Sequence, residues 1–431
     1  MRFRAHDAAA AVGGRLVGPD VEIDGVSFDS RSLQPGNLFV PIVAARDGHD
    51  FIADAVARGA AAHLTALPAS GAATAIEVDD TLAALMRLAT WARGHFHGPV
   101  VGITGSVGKT TTKDLTAAAL GASRRTWANE RSFNNDQGLP TTVLNTPESS
   151  EVLVLEMGMR GFGEITRLCA IARPTVGIVT RVAEAHGDRV GGIEGVARAK
   201  AELVTAIPAE GVVILNGDDP RVAAMAGSSA ARVLTFGAGD GCDVRIGGLT
   251  MDAAARPSFT LDTPWGRVEV HLALAGRHMA WNAAAAIACV GAIGADVVAG
   301  ALALNRVEPS PMRMRVVRST SGVTVVDDCY NANPTSMRAA IDALVSLPAS
   351  RRIAVVGVMA EISDAATEHA AIVDYARARD VEVLAVGTDL YGVPTVDDPV
   401  GALGSLTGGE AVLVKGSRVA GLERVVAGLL S

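Results

Sequence analysis

The stretch Thr104-Gly105-Ser106-Val107-Gly108-Lys109-Thr110-Thr111 decides how the chain folds, because of what stands on either side of it. Before it runs Val100-Val101-Gly102-Ile103, with the length and β-branched content of a buried parallel strand; after it a helix is predicted from near Thr112. A glycine-rich turn between a strand and a helix can wrap backbone N–H groups around phosphates, and the helix N-terminus favours negative charge. Lys109 then reaches the outer phosphates and the Thr110 hydroxyl can hold a metal. The strict P-loop spelling is not met, since its first glycine would fall at Ile103.

Three further apolar runs follow with the same rhythm: Val152 to Leu155, Val176 to Val179 and Val212 to Leu215. They predict an α/β sheet, mainly parallel, with helices on both faces. A nucleotide held on a loop of this kind needs an acidic partner for its metal at the end of a neighbouring strand. Glu156, directly after the second run and before Met157-Gly158, is the candidate, at the sheet edge where such folds bind ligands.

From Pro309-Ser310-Pro311 the pattern starts again, with runs at Val323 to Val326, Ile353 to Val356, Val381 to Val386 and Ala411 to Val414. Helices are predicted from Thr335 and from Ala365, and Val419 to Leu430 closes the chain, which makes a separate doubly wound unit. Ahead of the loop, Val21 to Val26 alternates as a strand does, Leu38-Phe39-Val40 is a second short strand, and Phe51 to Arg58 has helical spacing. Gly98-Pro99 reads as a linker. The domains are therefore expected at 1–98, 99–309 and 310–431, more than one core being the prior for 431 residues.

Composition narrows the function classes. A chain that is 49% hydrophobic and 19% charged can bury a sizeable core, and its formal net charge of -8 argues against a general nucleic-acid binder. Cys169, Cys242, Cys289 and Cys329 are too scattered for a zinc site or a disulfide framework, and are expected as free thiols in a reducing compartment. The N-terminus lacks the unbroken apolar centre of a secretory signal, so a cytoplasmic location is expected. Met279 to Ala295 is mostly alanine, contains Asn282 and is followed by Asp296, which predicts a buried helix and no membrane span.

Taken in order, the loop, Asn134-Asn135, Glu156-Met157-Gly158, Ala185-His186, Ala199-Lys200, Asn216-Gly217-Asp218-Asp219-Pro220, Tyr330-Asn331-Ala332-Asn333-Pro334 and Lys415-Gly416-Ser417-Arg418 resemble the Mur ligases. The resemblance covers nearly the whole chain, including Asp29-Ser30-Arg31 and Gly48-His49-Asp50-Phe51, and is closest to the member that joins D-alanyl-D-alanine to UDP-N-acetylmuramoyl-tripeptide. It implies a small N-terminal α/β domain for the UDP substrate, a central P-loop-type ATPase domain and a C-terminal Rossmann-like domain that closes over ATP and the incoming amine. It implies an ATP-dependent ligase of cell-wall precursor synthesis that works through an acyl phosphate.

The resemblance also implies roles. Gly105, Ser106, Gly108, Lys109, Thr110 and Thr111 would hold the nucleotide phosphates, with Asn282 near the base, Arg313 near the phosphates, and Asn331 and Asn333 lining the ATP cleft. Thr110, Glu156, His186 and Lys200 would bind Mg2+, and the His donor admits Mn2+. Lys200 matches a lysine carried as a carbamate, which turns a cation into a metal-binding carboxylate; an unmodified lysine has no acceptor. Lys109, Glu156, His186 and Lys200 would form the catalytic group. Ser30, Arg31 and Asp50 would meet the UDP part; Asn134, Asn135, Lys415, Ser417 and Arg418 the rest of the peptide substrate or the incoming carboxylate. The expected partners are UDP-N-acetylmuramoyl-tripeptide and D-alanyl-D-alanine, without nucleic acid, and the chain is expected to act as a monomer.

Five positions depart from the family pattern: Val107 where Asn is common, Asp136 for Glu, Gly187-Asp188 for Leu-Glu, Cys329 for Ser and Val358 for an acidic residue. Two other readings stay open. One is a Mur-type ligase that adds diaminopimelate or lysine, although the Asp-Asn-Pro-Arg string of the diaminopimelate adder is absent. The other is a degenerate nucleotide-binding module, which would require loss of Lys109, Glu156 or Lys200, all of which are present.

Overall fold

Runs of Val, Ile and Leu build the middle of the molecule. In the computed structural model, which describes residues 1–69, 71, 73–130, 132–183, 187–404 and 406–431, with the side chains of 187 and 188 left aside, these runs are strands. Val100–Thr104, Val152–Glu156, Val176–Val179 and Val212–Asn216 are parallel neighbours, almost wholly buried. The sheet has nine strands, in the order Gly266–His271, Pro257–Thr263, Val244–Met251, Arg232–Gly237, Val212–Asn216, Val176–Val179, Val100–Thr104, Val152–Glu156, Thr126–Ala128. Pairing is parallel from Thr126–Ala128 as far as Val244–Met251, and the last two strands extend the sheet antiparallel.

Alternation along these strands feeds two cores. Val101, Ile103, Val152 and Val154 pack with Leu115 of helix Lys109–Gly121 and with Ala283 to Val290 of helix Met279–Ala292. Val100, Leu153, Leu155 and Val179 pack with Ile165 of helix Glu164–Ala172 and Leu203 of helix Gly192–Ala206. Gly102 lets that last helix come close: a Cβ there would lie 3.0 Å from Leu203 Cδ1 and 3.2 Å from Met157 Cε. The phosphate-loop strand is thereby clamped from both sides. The helix after the loop begins at Lys109, three residues before the expected start, so the loop residues themselves form its first turn. Helix Met279–Ala292 is buried, as its alanines implied, and among the described residues no helix is long and apolar enough to cross a membrane.

Ahead of this sheet, a five-stranded sheet runs Arg15–Val17, Thr74–Glu77, Ala62–Thr65, Leu38–Phe39, Val26–Ser27, parallel except at its first pair. Gly25 splits the expected 21–26 strand, and Glu22–Asp24 pairs instead with Arg2–Arg4. Phe51 to Arg58 becomes a short turn, Gly48–Phe51, followed by helix Ile52–Ala57.

Behind it, a five-stranded sheet has the order Arg315–Arg318, Thr324–Asp328, Glu410–Lys415, Arg351–Val356, Glu382–Ala385, parallel except for the first pair. Helices Pro334–Ser346, Ala365–Arg377 and Glu423–Leu430 flank it. Lys415 ends its central strand beside Asp328, and although it is 2% exposed its ammonium has partners, donating to Asp328 Oδ2 at 2.6 Å and to the Asn331 carbonyl at 2.8 Å. The segment that enters this sheet holds two non-glycine residues in the left-handed region, Met312 (φ 61°) and Met314 (φ 49°), on either side of Arg313. Such a backbone costs on the order of 1 kcal/mol per residue. It is held by Tyr330 N–H on the Met312 carbonyl at 3.2 Å and Met314 N–H on Asp328 Oδ1 at 3.1 Å.

Two stability changes are expected in urea unfolding. Gly102→Val overpacks the contact with Leu203 and should cost about 1–3 kcal/mol. Lys415→Met leaves the Asp328 carboxylate half-buried without its cation and should cost about 3 kcal/mol, while adding Asp328→Asn to that variant should recover much of the loss.

Candidate active site

The loop's shape is fixed by neighbours that leave no room for side chains. A Cβ on Gly105 would collide with the Thr180 hydroxyl, and Gly108, at φ 82°, would place one 2.7 Å from Asn282 Oδ1. Ser106 N–H donates to the Arg181 carbonyl at 2.7 Å, Ser106 Oγ to the Ala183 carbonyl at 2.7 Å, and Thr180 Oγ1 to the Val107 carbonyl at 2.7 Å. The substitution of Val107 is thus tolerated because its carbonyl makes this bond. The N–H groups of Lys109, Thr110 and Thr111 lie in the helix's first turn, where no intrahelical acceptor exists, so they are available to an anion. Lys109 Nζ folds back onto the Gly105 carbonyl at 2.9 Å, and burial lowers its pKa, with Glu156 opposing part of that effect.

Glu156 is 1% exposed and its carboxylate is fully engaged. Thr110 Oγ1 donates to Oε2 at 2.7 Å and Asn134 Nδ2 to Oε1 at 2.6 Å. Its backbone N–H donates to Asn129 Oδ1 at 3.0 Å, and Lys113 Nζ holds the Asn129 carbonyl at 2.7 Å. Thr110 and Glu156 suit a hard cation that prefers oxygen ligands. Among the described residues no three His, Cys, Asp or Glu side chains gather at one point, so such a cation would draw its other oxygens from bound phosphates, water or a modified side chain. Lys200, on helix Gly192–Ala206, is 4% exposed and makes no hydrogen bond or ion pair among the described residues. Burial, then the nearby Lys109, hold its pKa well below the usual lysine range. His186 lies outside the described residues.

From the other side, Arg313 reaches the loop region. Its guanidinium sits 4.1 Å from the Tyr330 ring centroid and donates to Ser132 Oγ at 3.2 Å. Asn331 Oδ1 accepts from Ser417 Oγ at 3.3 Å, and Asn333 caps helix Pro334–Ser346 by accepting Ser336 N–H at 2.9 Å. Asn135 is also a helix cap, accepting from Gly138 N–H at 2.9 Å. Arg418 pairs with Glu423 at 3.1 Å. Arg313, Asn331, Asn333, Asn135 and Arg418, with Ser106 to Thr111 of the loop, Glu156, Asn134, Asn282, Lys415 and Ser417, line one cleft of 1410 Å³ between the central and last sheets. A single small-molecule site occupies roughly 300–1,000 Å³, so this cleft has room for more than one reactant.

Ser30, Arg31 and Asp50 do not line that cleft, nor do Gly105 and Lys200. Ser30 is buried and bonded to Asp54, Arg31 pairs with Asp29 at 2.7 Å, and Asp50 lies in the turn Gly48–Phe51. Three of the remaining departures are absorbed locally, and the side chains of Gly187-Asp188 lie outside the described ones. Asp136 pairs with Arg167 at 2.6 Å, Cys329 packs on Asp327 at 3.1 Å, and the Val358 carbonyl accepts Ser417 N–H at 2.9 Å. Sequence reasoning passed over Arg181, Asp218, His278, Trp281 and Glu361, which also line the cleft. Asp218 and Trp281 stood in strings already singled out, but nothing in one sequence shows which way a side chain points.

Comparison with known proteins follows this geometry. The Mur ligase middle domain model matches residues 103–290 and the Mur ligase glutamate ligase domain model residues 312–418. The UDP-N-acetylmuramoyl-tripeptide--D-alanyl-D-alanine ligase of Mycobacterium tuberculosis is 40% identical, over 94% of this chain and 92% of that one. The Escherichia coli ligase of the same name is 34% identical over 96% of each chain. Among solved structures, MurF from Acinetobacter baumannii has a TM-score of 0.91 at 28% identity, covering 100% of this chain and 99% of that one. MurF ligase from Thermotoga maritima in complex with ADP has a TM-score of 0.83 at 28% identity, covering 94% and 96%. With both domain models placed over the two sheets that bound the cleft, and relatives matched along nearly their full length, the chain belongs to the Mur ligase family.

Proposed function

We propose that the protein is an ATP-dependent ligase that joins D-alanyl-D-alanine to UDP-N-acetylmuramoyl-tripeptide in peptidoglycan precursor synthesis in the cytoplasm. The observation that carries the reading is the single cleft in which the phosphate loop and Glu156 face Arg313, Asn331 and Lys415-Gly416-Ser417-Arg418. The full-length relatives bearing that activity as their name supply the identity of the two substrates.

The reaction requires a carboxylate to acquire a leaving group at neutral pH. A carboxylate oxygen of the tripeptide attacks the γ-phosphorus of ATP and ADP departs. The dipeptide's amine then attacks the acyl carbon, loses a proton, and phosphate leaves. Most of the catalysis is positioning and charge neutralisation. The N–H groups of Lys109, Thr110 and Thr111 receive the phosphates, and Lys109 exchanges its carbonyl contacts for the β- and γ-phosphate oxygens. Arg313, anchored on Tyr330, adds positive charge from the far wall. Thr110 and Glu156 would hold a divalent cation, which would supply further neutralisation of negative charge on the phosphates. Ser417 and Arg418 receive the dipeptide carboxylate, while Lys415 and Asp328 brace the turn that carries them. Ser30, Arg31 and Asp50 meet the UDP end on the first domain, residues 1–98, and residues 99–309 and 310–431 form the other two.

The Lys200 amine is proposed to be a carbamate. Addition of CO2 to the neutral amine, the form that burial favours, would form an N–C bond and release one proton to solvent, leaving an anion near Lys109. His186 is proposed as a further metal ligand.

Release of phosphate from ATP with UDP-N-acetylmuramoyl-tripeptide should occur with D-alanyl-D-alanine and not with diaminopimelate, L-lysine or D-alanine alone. Release with diaminopimelate or lysine but not the dipeptide would refute the assignment. Lys200→Ala should lower turnover by at least about 100-fold, bicarbonate should not restore it, and a carbamate resonance from labelled bicarbonate should be present in the parent protein and missing from the variant. Full activity in Lys200→Ala would remove the carbamate.

A further inference from the structure

We propose that Trp281 is the platform on which the purine base of the nucleotide stacks, an inference that rests on the nucleotide reading above and adds a residue to it. Trp281 lies in the first turn of helix Met279–Ala292, and the next residue, Asn282, abuts Gly108 of the phosphate loop. The turn that carries Trp281 thus adjoins the loop, within reach of the rest of a ligand whose phosphates occupy it. The indole is half-buried: part of it packs on the central core, and part lines the cleft.

Its orientation is set by one carboxylate. Indole Nε1–H donates to Asp218 Oδ2 at 2.7 Å, and Asp218 also accepts Ala238 N–H at 2.6 Å and Gly239 N–H at 2.9 Å. These bonds tie the ring to the segments that follow strands Val212–Asn216 and Arg232–Gly237, at the carboxyl ends where open α/β sheets bind ligands. An indole has a single hydrogen-bonding group, and here it is already spent. What remains towards the cleft is an aromatic surface, with Phe236 and Met251 in the same lining. A flat, π-rich partner matches that surface, and a nucleobase is the part of ATP with that character.

The test uses the full-length enzyme and two probes, ADP and inorganic tripolyphosphate, the second having phosphates and no base. Trp281→Ala should weaken ADP binding about tenfold by calorimetry and leave tripolyphosphate affinity, read by displacement of ADP, unchanged. Trp281→Phe, which keeps a ring, should bind ADP within about threefold of the parent, and the fluorescence quench that ADP produces in the parent should be lost. Unchanged ADP affinity in Trp281→Ala would overturn the proposal, as would parallel weakening of both probes, which would mean that the ring only supports the loop. Absence of ADP binding to the parent protein would instead overturn the nucleotide reading itself.

Discussion

A carboxyl group taken out of water needs hydrogen bonds in place of its solvent, and Glu156, buried at the end of a central strand, is such a group. Its two oxygens are met by Thr110, which begins the helix after the phosphate loop, and by Asn134, which belongs to the segment following Thr126–Ala128. Its backbone is met by Asn129, which Lys113 in turn holds from the loop helix. Loop, strand end and neighbouring segment are thus fixed to one another through one residue. The segment reaches further: Ser132 accepts from Arg313, so the linker into the last sheet is referred to the same point.

That linker carries the cost of placing an arginine over the phosphate loop. Met312 and Met314 hold left-handed backbone so that Arg313 can turn back onto Tyr330. Ser310 Oγ bonds Asp114 of the loop helix at 2.7 Å, which anchors the start of the same segment on the central domain. A few torsions between residues 310 and 314 therefore decide how the two walls of the cleft meet.

Much of this was legible in the sequence because buried parallel strands leave a plain signature. The Val/Ile runs beginning at Val100, Val152, Val176 and Val212 are buried on both faces, so hydrophobicity is continuous and the ends are marked by the change to polar residues. Glu156 could be picked out for the same reason: it is the first charge after such a run. The antiparallel extension from Val244 to His271 was not read, because its strands are half-exposed and carry glycine and charge, as in Arg245-Ile246-Gly247-Gly248. Lys415 was expected to meet the substrate, but its ammonium is held by Asp328, which arrives from another strand and could not be paired with it from one sequence. Asn135 and Asn333 line the cleft but spend their side-chain oxygens on helix caps, a use that residue type alone does not distinguish from ligand binding.

In the proposed reaction the γ-phosphoryl group passes to a carboxylate before any amide forms. The most direct measurement labels both oxygens of the tripeptide's terminal carboxylate with heavy oxygen and follows one round of ligation by mass spectrometry. One labelled oxygen should appear in the released phosphate and one should remain in the new amide carbonyl. Released phosphate free of label would contradict an acyl phosphate, and with it the role assigned to the Glu156 site.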